Sequence, residues 1–254
     1  MTNDLDLSFL GLDEQDRQIL TEGFERMIRE SGGNVESLVT FGSAASEGFD
    51  LRRSDINLIV VLRRDGRADL DALRPHLAVL MRQFKVSPMI TTREELASSA
   101  DVFPVKFLDI QEQHRVIHGP DPFSGLVIGR DHVRLRCEQE LKNMALRLRR
   151  QVVSRVVGSP ASVLRETIRG VLPAFTSVLR ALLGLRGVTV GADRADVLSR
   201  AAAELDLPAG VMERLVDLGR GRSPADDGAM EDLAHDLLTA VVTAAAAADR
   251  MDIP

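Results

Sequence analysis

Tryptophan and tyrosine are absent from this chain of 254 residues, so aromatic chemistry rests on phenylalanine and histidine alone. Stacking platforms for single-stranded nucleic acid would have to come from those two residue types, which argues against a polymerase or RNA-binding role. A single cysteine, Cys137, excludes an internal disulfide and a cysteine-based zinc site, and it reads as a small buried apolar residue. No unbroken apolar run has the length of a bilayer span, and the first dozen residues carry acids where an export signal would carry a basic end before an apolar stretch. The expectation is a cytoplasmic protein with no membrane partner. The formal net charge of −6 offers no broad attraction for nucleic acid.

What the sequence does contain is the balance of a globular chain, long enough for two modest domains. Helical spacing of Ile19, Leu20, Phe24, Met27 and Ile28 predicts a helix over 13–30, stopped by Ser31-Gly32-Gly33. Residues 35–41 and 56–62 are short, apolar and β-branched, and they flank a polar loop, so both read as strands. A helix over 68–84 follows, then strands over 86–91 and 105–110. The turn cluster Gly119-Pro120-Asp121-Pro122 closes this mixed region. Beyond it helical patterns predominate, over 130–153, 161–183, 194–205, 208–218 and 230–250. The predicted architecture is α+β, a mixed sheet with helices in 1–124 and a helical bundle in 125–254.

Chemistry concentrates in Phe41-Gly42-Ser43 and in Ser54-Asp55-Ile56-Asn57-Leu58. A glycine at a strand end allows close backbone approach, and Gly42 with Ser43 can offer N–H groups and a hydroxyl to phosphate. Residues two apart on a strand share a face, so positions 55 and 57 would aim at one site. Two carboxylates there could hold a pair of Mg²⁺ ions. In this chain the second position is Asn57, whose amide oxygen brings no charge. Arg52 and Arg53 stand just before Asp55 as candidate phosphate contacts.

These two segments resemble the signature of the DNA polymerase beta-like nucleotidyltransferases, in which a strand ending in Gly-Ser precedes a strand opening with two acids. The resemblance covers roughly the first half of the chain and implies a nucleotidyltransferase-like sheet with Ser43, Asp55 and Asn57 opening onto one cleft. It implies transfer of a nucleoside monophosphate from Mg-NTP, with ATP the expected nucleotide, to a hydroxyl of a small molecule or protein. The family takes a third acid from a neighbouring strand, and in Lys85-Val86-Ser87-Pro88 that place is held by Ser87. The segment 105–110 offers Asp109 as a substitute acid and Lys106 as a cation that could pair with Asp55; strand alternation would turn them to opposite faces. Asp55, Asn57 and Asp109 are thus the candidate catalytic residues, with Asp55 and Asn57 as ligands of a weakened Mg²⁺ site. The alternative is a catalytically impaired relative serving as a nucleotide-binding or protein-interaction module.

Two other features have simpler readings. His114 and His118 are four apart, a spacing that suits a metal only in a helix, and no further ligand accompanies them, so surface or packing roles are expected. Arginines along 130–150 fit the solvated face of an amphipathic helix, with an anion-binding face as the alternative.

Overall fold

In a computed structural model of the chain, residues 5–45, 49–52, 54–154, 161–191, 193–222 and 226–253 are described. The chain divides into two units, Met1–Val102 with Lys106–Val127, and Phe103–Val105 with Ile128–Pro254.

The first unit opens with α1 (Glu14–Glu30), whose N-terminus is capped by Asp13 accepting from the Asp16 N–H at 2.8 Å. Strands β1 (Val35–Phe41) and β2 (Ile56–Leu62) follow, then α2 (Arg67–Phe84) and β3 (Val86–Thr92). A short helix, α3 (Arg93–Ser98), starts at a capping box formed by Thr92 and Glu95. After α4 (Pro104–Glu112) comes β4 (His114–His118). The strand order is β3-β2-β1-β4, with β1 antiparallel to both β2 and β4 and β2 parallel to β3. A parallel neighbour requires a crossover, and α2 supplies it.

Leu38, Ile56, Leu58, Val60 and Val86 face Leu20, Phe24, Met27, Leu73, Leu77 and Leu80 of α1 and α2 in one buried cluster. Each such side chain contributes roughly 1.5–3 kcal/mol by leaving water. Gly23 lets the helices close in, since a Cβ there would lie 2.7 Å from Leu80 Cδ2. The alternation of β2 then commits Asn57, Ile59 and Val61 to the other face of the sheet.

The segment expected as a strand over 105–110 is helical, and this corrects the sequence reading. Pro104 occupies the first helical position, where a missing N–H costs no bond and a fixed φ suits the helix. The fourth strand is instead 114–118, too polar to announce itself, and it forms by pairing with β1. The helix α3 was likewise outside the sequence reading; two β-branched threonines precede it and it is only 6 residues long.

The second unit contains α5 (Arg130–Ser154), α6 (Ala161–Leu185), α7 (Arg194–Glu204), α8 (Ala209–Gly219) and α9 (Asp227–Asp249). α5 packs along α9 and α6, and α6 also touches α7, α8 and α9. Val133, Cys137, Leu141, Met144 and Leu148 form the buried stripe of α5. Glu138 is buried beside that stripe and bonds both Arg134 and Lys142. Arg136 pairs with Glu140 and Arg130 donates to the Leu185 carbonyl, so much of the basic character of α5 is used internally.

No unbroken apolar run in the sequence has the length of a bilayer span, yet the stretch Ser162–Leu185 has a window of mean hydropathy 1.4 and is long and apolar enough by composition to cross a membrane. Of that window 56% is buried within the protein, with Ile168, Leu172, Phe175, Leu179 and Leu182 turned inward. A core helix of a bundle meets the same compositional test.

Candidate functional site

Gly42 ends β1 with φ of +65°, a left-handed conformation that a side chain would strain. A Cβ placed on it would come 3.6 Å from Nδ2 of Asn57, so the bare glycine backbone lies against the Asn57 amide. The Gly42 N–H donates to the Gln113 carbonyl at 3.0 Å, closing the ladder to β4. It therefore offers no N–H to a phosphate, contrary to the expectation from sequence. Ser43, in the 3-10 turn Gly42–Ala45, is exposed, and its hydroxyl has no hydrogen bond among the described residues.

Asp55 is exposed immediately before the first residue of β2, and no ion pair or hydrogen bond engages its carboxylate among the described residues. Asn57 is half-buried on the face opposite Ile56 and Leu58, and its amide is likewise unpartnered among them. Across the parallel pair, Asn57 stands in register with Ser87 and Ile59 with Met89. Because Val86 belongs to the core, Ser87 and Met89 share the face of Asn57.

The loop before Asp55 is built on Asp50, whose carboxylate accepts the Arg52 N–H at 2.9 Å while its carbonyl accepts the Ser54 N–H at 3.1 Å. Arg52 is exposed; Arg53 lies outside the described residues. Lys85 adopts a left-handed conformation at the end of α2 and carries its ammonium to the Leu51 carbonyl at 3.3 Å. That lysine was not singled out by sequence reasoning, because only the crossover brings residue 85 beside residue 51.

Lys106 and Asp109 do not alternate across a strand; they are one helical turn apart on α4. The Lys106 ammonium rests 3.4 Å from Sδ of Met89, which places this end of α4 on the sheet face that carries Asn57 and Ser87. Asp109 is half-buried and already engaged in an interaction, as is the exposed Glu112.

His114 and His118 lie on a strand rather than a helix. His114 is held by the Ile110 carbonyl at Nδ1 (2.8 Å) and by Asp121 at Nε2 (3.3 Å), with its ring 5.3 Å from that of Phe123. Burial depresses the pKa of His118. His114 is thus engaged within the fold by polar and ring contacts.

Among the described residues the donor set at the strand ends is one carboxylate (Asp55), one amide (Asn57) and two hydroxyls (Ser43 and Ser87). Among the described residues no group of three or more His, Cys, Asp or Glu side chains is arranged to hold a metal ion. Two Mg²⁺ ions require several anionic oxygens, so these residues do not fit a two-ion site. The sequence matches no protein-family model, and no curated protein matches it.

Proposed function

We propose that residues 1–124 form a nucleotidyltransferase-like domain that binds a nucleotide without transferring it, a catalytically impaired relative of that superfamily. The observation that carries this reading is the register of β2 and β3, which sets Asn57 beside Ser87 where the resemblance calls for acids. Gly42, bare against the Asn57 amide, and the unpartnered Ser43 hydroxyl support retention of a phosphate-contacting edge. With Asp55 as the one unengaged carboxylate among the described residues of the strand ends, the site lacks the charge to hold two divalent cations while a hydroxyl attacks and pyrophosphate leaves.

Calorimetric titration of the full chain with ATP and the other NTPs, alongside a pyrophosphate-release assay, tests the reading. Saturable nucleotide binding with no pyrophosphate release is expected. No binding of any NTP, with or without Mg²⁺, would remove the nucleotide reading altogether.

A second reading, an active transferase on a reduced site, is favoured by one observation: the Asp55 carboxylate is exposed and, among the described residues, unpaired, as a ligand awaiting a metal would be. On that reading pyrophosphate is released with Mg²⁺, and Asp55→Asn abolishes release while circular dichroism stays unchanged. The acceptor would be a hydroxyl of a small molecule or protein.

A further inference from the structure

The charge around the strand ends has the wrong sign for a cation site and the right one for an anion. Among the described residues Arg52, Lys85 and Lys106 stand about this edge with the carboxylates Asp50, Asp55 and Asp109; Asp50 is taken up by the Arg52 N–H and Asp109 is engaged, which leaves Asp55 as the carboxylate facing the three cations. Lys106 is the distinctive member. Its exposed ammonium touches the Met89 thioether, a weak acceptor that leaves most of its hydrogen-bonding capacity unused. Met89 is two residues from Ser87 on β3, about 7 Å along the strand, so the ammonium lies within a side chain's reach of the Asn57–Ser87 pair.

From this juxtaposition we infer that Lys106 supplies the positive charge that a divalent ion would otherwise bring, so that the site takes a polyphosphate chain without a divalent metal. The inference rests on the nucleotide reading above and names the form of the ligand. Asn57 and Ser87 suit this chemistry, since an amide N–H and a hydroxyl can donate to phosphate oxygens, whereas carboxylates in their places would repel a metal-free polyphosphate. An ammonium is a compact point charge on a flexible stem, able to follow a phosphate chain from a helix lying on the sheet. A divalent ion brought beside the Asn57–Ser87 pair would meet the Lys106 ammonium, a like charge. Because the cations are exposed, the attraction is screened by salt.

The test uses the full chain with three probes, ATP, inorganic tripolyphosphate and adenosine, each titrated in EDTA and in Mg²⁺. ATP and tripolyphosphate should bind in EDTA at least as tightly as in Mg²⁺, more weakly at high salt, and adenosine should not bind. Lys106→Met keeps the apolar stem and removes the charge; it should weaken ATP binding in EDTA by about tenfold or more, the scale of one charge-assisted hydrogen bond. Arg82→Gln makes the same net-charge change on the exposed side of α2, in the layer on the opposite face of the sheet, and should leave affinity unaltered. Binding that requires Mg²⁺, or equal affinity for Lys106→Met and wild type, overturns the inference while the nucleotide reading stands. Absence of binding in both buffers overturns the reading and the inference together.

Discussion

Asn57 and Ser87 are register partners across the parallel β2–β3 pair, and both point away from the core that Ile56 and Val86 fill. Two neutral side chains thus stand side by side on the face of the sheet away from the core. The pair also fixes what restoring charge should do.

Asn57→Asp places an anion next to Ser87 and two residues from Asp55. Mg²⁺-dependent ATP affinity should rise, by about tenfold if the carboxylate is worth roughly 1.4 kcal/mol. Affinity in EDTA should fall, because the new charge repels bare phosphate. Pyrophosphate release need not follow, since catalysis also requires a positioned acceptor. Calorimetry in the two buffers reads both effects; unaltered values in each would mean that residue 57 faces no bound phosphate.

Gly119 follows β4 with φ of +74°, and a Cβ there would lie 1.9 Å from the Glu36 carbonyl oxygen. Backbone cannot yield as a flexible side chain does. Gly119→Ala should therefore lower stability by about 2 kcal/mol or more, through left-handed strain and the displaced β1 backbone. The urea midpoint of the variant measures this, and a midpoint equal to wild type would show that the turn can rearrange freely.

In the helical unit, Leu148 is 1% exposed in the stripe with Leu141 and Met144. Leu148→Asp removes that burial and leaves a carboxylate without a partner, at a cost on the order of 3 kcal/mol or more. Denaturant unfolding that registers a loss below about 1 kcal/mol would contradict the packing of α5 against α6 and α9.

Lys142, bonded to the Glu138 carboxylate, and Arg134 beside it hold Glu138 below the usual carboxylate range. A carboxyl that is more acidic folded than unfolded contributes its full share of stability above its unfolded value of 4.5, and loses it as pH falls through the folded value. Glu138→Gln should therefore be less stable than wild type near neutrality, and the difference should shrink on acidification. Urea midpoints for both proteins between about pH 7 and pH 3 check this; a constant difference across that range would show that the carboxylate's charge is not what stabilises the helix.

Much of the secondary structure was legible because its determinants are local. Short apolar, β-branched runs and helical-period patterns place β1, β2, β3, α1 and α2 within a residue or two. Gly42-Ser43 and Asp55-Ile56-Asn57 stand out by their resemblance to the nucleotidyltransferase signature, and alternation puts Asn57 opposite the core residue Ile56. What stayed hidden depends on partners distant in sequence. The run 105–110 is short and apolar enough for either strand or helix, and Pro104 with the packing of Phe107 and Ile110 decides for helix. The strand 114–118 has little β pattern of its own and exists because β1 leaves an edge to pair.

By itself, then, the sequence determined the α+β composition, the two strand-end segments and the uncharged amide at position 57, since each is a matter of residue identity and near-neighbour spacing. Tertiary structure decided the rest of the candidate site. Strand register brought Ser87 beside Asn57, the β4 ladder consumed the Gly42 N–H, the crossover carried Lys85 to Leu51, and helix α4 laid Lys106 on Met89. None of these pairings has a local signal, because hydrogen bonds and charges across tens of residues are fixed only when the core between them packs.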